Sequence, residues 1–278
     1  MQNIEKKFWL EKFDCFSITG KDARKFVNGI TTGNILNSEN EVIKTCWLTP
    51  KGVMRALIEI IFLESNLEVI ILVGNTHEII DYFNQIIFPA DDVMVSKPFL
   101  INRIQEIDES TSWRTYRPIF FKTEDKEFEI YKNKLNLLNH NDLKLWKINQ
   151  AIPSLEREIN GKNNPLELGL KDLIDFNKGC YLGQETMSKI KNVSSLKQEI
   201  RIWKSFESNL NLDVEDKNLY INSAKDISVG KITSIFKLDS QIKGLAMIKR
   251  KYLEEGSYFF SEIFGKVIIN KSVGSIFI

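Results

Sequence analysis

The sequence predicts an α+β chain in which a mixed strand-and-helix region is followed by a small antiparallel β-barrel. Three observations carry this. Up to about residue 97 short apolar runs alternate with helical segments that are apolar on one face, whereas from residue 199 short alternating runs are separated by turn residues. The chain has 278 residues, near the size at which single cores stop growing, so more than one packing unit is expected. Hydrophobic residues make up 43% and include 18 Phe, enough to fill such cores.

Residues 15–18 read as a short strand and Thr19-Gly20 as a turn. Asp22 is placed to cap a helix that turns Phe26 and Val27 inward and stops near Gly29. Trp47-Leu48-Thr49-Pro50-Lys51-Gly52 is a turn leading into two apolar runs, 56–63 and 67–73, which Glu64-Ser65-Asn66 joins as a hairpin. Asn75 or Thr76 caps a helix with Ile79, Ile80, Phe83, Ile86 and Ile87 on one face, and Pro89 ends it before a strand at 93–95. Strand, strand, helix, strand over residues 43–97 predicts a ferredoxin-like lobe. In the charged stretch 101–141, strands are expected at 119–122 and 128–131, and residues 142–149 form a short helix. Barrel strands are expected at 200–203, 219–221, 228–235, 245–248, 258–260 and 266–269.

Composition excludes several classes. With 38 basic against 37 acidic residues and no basic stripe, direct nucleic-acid binding is not indicated. Cys15, Cys46 and Cys180 are far apart and form no metal-ligand spacing, so neither a metal site nor a disulfide set is expected. Residues 1–12 lack the apolar core of a signal peptide, and runs such as 58–63 are too short to span a bilayer. The expected setting is a reducing, cytoplasmic one without a membrane partner.

The densest chemistry lies in Lys178-Gly179-Cys180-Tyr181-Leu182-Gly183-Gln184-Glu185. Glycine serves where backbone turns sharply or approaches something closely, so Gly179 and Gly183 leave Cys180 and Tyr181 little neighbouring bulk. Residues 186–191 can continue as helix, which would put Cys180 near a helix N-terminus with Lys178 beside it, an arrangement that lowers a thiol's pKa. The other reading is a small buried hydrophobe at a tight turn.

This octapeptide resembles the K-G-C-Y-x-G-Q-E signature of the YgfZ-type folate-binding proteins, relatives of the T-protein (aminomethyltransferase) of the glycine cleavage system. Gly20-Lys21-Asp22-Ala23-Arg24-Lys25-Phe26-Val27-Asn28-Gly29-Ile30-Thr31-Thr32 is similar to that family's opening, and Val229-Gly230-Lys231 with Gly244-Leu245-Ala246 to its barrel motif. The resemblance implies a three-lobed, T-protein-like cloverleaf around tetrahydrofolate. Residues 1–198 would form a two-lobed folate-binding region, with the ferredoxin-like lobe at about 43–97 inserted between segments 14–40 and 100–195, and residues 199–278 the barrel. It further implies a folate-binding accessory factor for assembly or repair of iron–sulfur enzymes, acting through Cys180 with Lys178 favouring the thiolate. The partners would be client or assembly proteins, with a link to tRNA modification. Tetrahydrofolate or a one-carbon derivative would be met by Tyr181, Gln184, Glu185, Asn149, Glu167, Lys189 and Trp47; Tyr116 is a further aromatic candidate. Glu185 reads equally as a plain first-turn acid.

The chain departs from the T-protein pattern where aminomethyl transfer needs acids. In Lys51-Gly52-Val53-Met54-Arg55-Ala56, Arg55 and Ala56 stand at the acidic positions, and an arginine cannot stabilise an iminium cation. A classical aminomethyltransferase is therefore not expected, unless a displaced acid such as Glu59 substitutes. Asn149 replaces a glutamate expected at the pterin, which predicts weakened folate binding, and Lys189 replaces an arginine. Around Ser194, Ser195 and Gln198 a glycine and an arginine are also replaced. The alternatives are a one-carbon transferase and a degenerate, non-catalytic scaffold.

Overall fold

The computed structural model describes residues 6–36, 42–108, 111–190, 196–206 and 216–272. In chain order it contains β1 (Lys7–Thr19), α1 (Ala23–Ile30), β2 (Val42–Leu48), β3 (Met54–Phe62), β4 (Asn66–Val73), α2 (Thr76–Ile86), β5 (Met94–Val95), β6 (Phe99–Ile107), β7 (Ile119–Lys122), α3 (Lys126–Lys132), β8 (Asn136–Leu137), α4 (His140–Asn149) and α5 (Gln184–Ile190). The six strands that follow are β9 (Gln198–Ser205), β10 (Asn218–Tyr220), β11 (Ser228–Lys237), β12 (Ile242–Lys249), β13 (Tyr258–Ser261) and β14 (Gly265–Ser272). Two compact units share these elements. The first takes residues 1–139, 159–164 and 171–189; the second takes 140–158, 165–170 and 190–278.

The first unit is organised by β1, which at 13 residues is long enough to serve two halves of one sheet. The sheet runs β2-β3-β4-β1-β6-β7, with β5 and β8 also pairing with β1. Residues Cys15 to Thr19 pair with β4, and Ile18 faces Val95 of β5; residues Lys7 to Cys15 pair with β6. The order β3-β4-β1-β5 with helices after β1 and β4 is ferredoxin-like, with β2 added at the edge of β3. That motif therefore needs β1 and α1, which the sequence reading had assigned to a different lobe. Helices α1 and α2 supply one wall of its core, around Phe16, Val27, Trp47, Ile58, Val69, Ile79 and Phe83.

The hairpin at 63–66 is closed by Leu63 N–H donating to Asn66 O, and Asn75 caps α2 by accepting from Glu78 N–H at 3.1 Å. Other expectations fail for identifiable reasons. Asp22 stands at the N-cap position of α1 as expected but makes no side-chain capping bond, since its carboxylate accepts from the Asp92 N–H at 3.0 Å. Gly29 lies inside α1, which ends on extended Thr31 (φ −117°). Residues 128–131 are helical rather than extended: Asp125 caps α3 through the Glu127 N–H at 2.9 Å, and the cap prevails over the alternating pattern.

Strand β6 was not foreseen, because its centre reads Asn102-Arg103-Ile104-Gln105. All four are buried. Arg103 gives a forked pair to Glu59 (Nε–Oε2 2.6 Å, Nη2–Oε1 2.7 Å) and a bond to Gln105 at 2.5 Å, and it stacks 4.3 Å above the Trp9 ring. Lys44 Nζ lies 3.6 Å from the same carboxylate and donates to the Arg114 and Tyr116 carbonyls. Burial by itself would raise the Glu59 pKa, but Arg103 and Lys44 outweigh it and hold the carboxyl below its ordinary value.

In the second unit each of the six expected runs is a strand, and they close as β10-β11-β12-β9-β14-β13. Trp203 fills the barrel with Leu219, Ile232, Ile248, Phe264 and Val267, its Nε1 donating to Leu245 O at 3.1 Å. The buried Glu158 carboxylate accepts from Ser154 N–H and Oγ on one oxygen and from Ser234 Oγ of β11 on the other, which fastens the segment after α4 to the barrel wall.

Glu59→Gln is expected to cost about 3–5 kcal/mol, because it leaves the Arg103 charge buried and uncompensated. Replacing both partners with apolar residues of similar volume is expected to recover most of that loss. Urea unfolding of the single and double variants measures both; equal losses in the two would show that the charge pair is not the cause.

Candidate functional site

Three segments singled out in the sequence come together in the first unit. They are the end of α1 with residues 31–34, the turn at 49–52, and the octapeptide at 178–185. The α1 end exposes carbonyls that no longer find partners within the helix. Leu182 N–H donates to Gly29 O at 2.9 Å, Asp175 N–H donates to Thr32 O at 2.9 Å, and the Asp175 carboxylate accepts from Asn34 Nδ2. The other Asp175 oxygen accepts from the Asn177 and Lys178 N–H groups, a local turn that sets the direction of the octapeptide.

Lys178 holds the arrangement from inside. Its ammonium is buried and donates to the carbonyls of Asn28 (2.6 Å), Thr31 (2.7 Å) and Gly33 (2.5 Å), with the Tyr181 ring 5.0 Å away. All three of its protons are therefore used on backbone, and none is left for the Cys180 thiol. Burial lowers its pKa to about 8, opposed by the Asp175 carboxylate. The helix begins at Gln184, so Cys180 lies four residues ahead of it rather than at its N-terminus. Gly183 (φ +84°) rests on the other turn: a Cβ there would stand 2.8 Å from Thr49 O. Gly52 (φ +74°) is its counterpart, where a Cβ would meet Thr186 and Met187 of α5.

The result is one presented thiol. Cys180 is exposed, while Cys15 and Cys46 are buried. Burial raises both buried thiols, Cys46 to about 12, and the nearby Glu68 pushes Cys15 the same way. Tyr181 is buried, its hydroxyl has no hydrogen-bond partner among the described residues, and burial with Cys46 and Asp175 nearby raises its pKa to about 12.

The other expected residues differ in burial and in partners. Trp47 is a core residue packed on Tyr82 and Phe83, and its indole Nε1 lacks a partner among the described residues. Gln184 is half-buried at the start of α5, whereas Glu185 and Lys189 are exposed and pair with each other at 2.6 Å, the i,i+4 spacing of a solvated helix face. Asn149, half-buried at the end of α4, and Glu167, buried, belong to the second unit. Arg55 pairs with Glu78 of α2 at 3.2 Å. Glu59 is sealed by Arg103, which removes it as a displaced acid. Lys191, Ser194 and Ser195 lie outside the described residues. The carbonyls of Asn28, Thr31 and Gly33 were missed, since backbone acceptors leave no trace in side-chain types.

The sign of the Lys178 effect on stability follows from its lowered pKa. Below pH 8 the group is protonated in both folded and unfolded chains; between about 8 and 10.5 only the unfolded chain holds the proton, so stability rises with pH. The difference in unfolding free energy between wild type and Lys178→Met is expected to grow across that window and stay flat below it. A difference that does not vary with pH would mean that Lys178 titrates at its ordinary value.

No protein-family model matches the sequence. A chloroplastic protein of Arabidopsis thaliana, At1g60990, provisionally named a transferase, is 34% identical over 113 residues, which is 40% of this chain. The chain spans only about a quarter (24%) of that relative's length. An uncharacterized protein of Haemophilus influenzae is 26% identical over 252 residues, covering 83% of this chain and 84% of that one. Among solved structures, the glycine cleavage system aminomethyltransferase T of Bartonella henselae matches with a TM-score of 0.73 and 9% identity, over 99% of this chain and 86% of the other. The chain thus has the α+β fold of the T-protein, ending in a six-stranded antiparallel barrel, and is distantly similar to these two proteins.

Proposed function

We propose that this chain is a folate-binding accessory factor that supports iron–sulfur enzymes through the thiol of Cys180. The observation that carries the reading is the octapeptide itself: its cysteine is exposed on a loop tied at both ends, while the other two cysteines are buried. A chain that merely kept a scaffold would have no need to hold one thiol outward in this way. The T-protein fold supports the folate part. Tetrahydrofolate, when bound, supplies a carrier for one-carbon units.

The donor chemistry fits a pterin. Asn149 of the second unit offers an amide donor and acceptor, the pairing a pterin edge takes. Glu185 and Lys189 are satisfied by each other and are weaker candidates. One-carbon transfer by the chain itself has less support, because Arg55 stands in the acidic position paired with Glu78, and Glu59 is locked in the core. The client enzymes include those of tRNA modification in this reading, and the working compartment is a reducing one such as the cytoplasm.

The experiment is rescue of a bacterial strain lacking its own YgfZ-type protein, scored by a cluster-dependent enzyme under oxidative stress. Wild type is expected to rescue and Cys180→Ala to fail at matched expression. Equal rescue by both would make Cys180 structural, and rescue by neither would favour the degenerate scaffold.

Folate binding is tested separately by titrating tetrahydrofolate against tryptophan fluorescence. Asn149→Ala is expected to weaken binding by about tenfold or more, as removal of a hydrogen-bonding amide costs about 1–3 kcal/mol. Asn149→Glu is expected to tighten it. An unchanged dissociation constant in both variants would remove Asn149 from the site.

A further inference from the structure

We propose that Lys178 is a tethered cation: its ammonium fills a cage of three backbone carbonyls at the end of α1 and so positions the loop that presents Cys180, and the same cage accepts a free monovalent cation when the side chain is removed. Lys178 is thus a positioning residue. The cage stands on geometry alone; its value for function rests on the reading of Cys180 given above.

The carbonyls of Asn28, Thr31 and Gly33 converge on one point at 2.5–2.7 Å. Groups of backbone carbonyls that replace a hydration shell are how proteins hold potassium-like ions. The cage also sits where a helix carries its partial negative charge. Neighbouring acceptors are already occupied: Val27 O by the Thr31 N–H and hydroxyl, Gly29 O by the Leu182 N–H. The three that remain need a donor with three protons or a bare cation, and an ammonium is the side-chain group that brings three. The Tyr181 ring, whose face also favours a cation, lies 5.0 Å from the ammonium. Nothing in this arrangement requires the thiol, so Lys178 acts on Cys180 only by fixing the backbone that bears it.

The test uses the full chain and amide hydrogen exchange at Leu182, whose N–H bonds the α1 end. Lys178→Ala is expected to speed that exchange about tenfold or more, the effect of losing hydrogen bonds to a charged group. Added ammonium or potassium chloride is expected to restore protection. Tetramethylammonium, too large for the cage, should not restore it, nor should any salt in Lys178→Met, where the methionine side chain occupies the space. A simple packing role would give a loss that no cation reverses. Unchanged exchange in Lys178→Ala, or a change insensitive to cations, overturns the proposal. Should the variant fail to fold, the wild-type protein still decides: the Lys178 ammonium protons should give a separate, slowly exchanging NMR signal, and exchange as fast as that of exposed lysines would overturn it. Cys180→Ala should keep the protected Leu182 amide. A cage that behaves as stated beside a Cys180→Ala that rescues fully would sink the functional reading and leave the cage standing.

Discussion

The first unit depends on keeping a charge out of water. An ammonium taken into a protein interior costs several kcal/mol unless its protons find acceptors in good geometry. Lys178 finds three, and they are carbonyls that the end of α1 and the chain beyond it would otherwise leave without partners. Each side therefore answers the other's need. The end of α1 and the loop from 175 to 183 are thus tied to each other by hydrogen bonds. Once this pair is set, the Leu182 N–H reaches Gly29 O, and Gly183 can settle against the turn at Thr49. The position of Cys180 is an outcome of backbone interactions on both sides of it.

A second buried charge organises the sheet. Glu59 on β3 and Arg103 on β6 meet across β4 and β1, which lie between them in the sheet. A pair so placed fixes the two halves against each other at one register, because a slip of one residue in either strand would turn its charge to the opposite face. The cost is met by a forked geometry, by Gln105 and Lys44, and by the Trp9 ring beneath the guanidinium. The same bonds explain why Glu59 is not a reactive carboxylate. A group held by two cations is a poor base, and one with no exposed surface is out of reach of a substrate.

Much of this was legible in the chain, and the failures have a common cause. The barrel strands were readable because period-two alternation and turn residues act locally, and the hairpin and α2 because caps and apolar faces do too. Strand β6 was hidden by its polar centre, since nothing in Asn102-Arg103-Ile104-Gln105 indicates that a glutamate 44 residues away will neutralise it. Asp22 and Asp125 show the limit of capping rules: each is a good cap in sequence, but the first is drawn off by Asp92 and the second is not. At the site, the octapeptide was legible as a motif while its physics was not. Lys178 next to a cysteine reads as thiolate support, whereas its partners are backbone oxygens up to 150 residues earlier.

That difference bears on what kind of chemistry the thiol can do. A cysteine that works alone as a nucleophile needs a base or a cation at hand to hold it as thiolate. In this chain the adjacent lysine is spent on carbonyls and the helix starts four residues too late. What the fold does supply is placement: an outward thiol on a loop pinned at Asp175, Lys178, Leu182 and Gly183, with exposed Gly179 beside it. Placement of this kind suits a group whose reactivity is completed by what it meets. A partner that brings its own metal or electrophile would need from this protein only a thiol at a fixed address, and the buried states of Cys15 and Cys46 keep that address unambiguous.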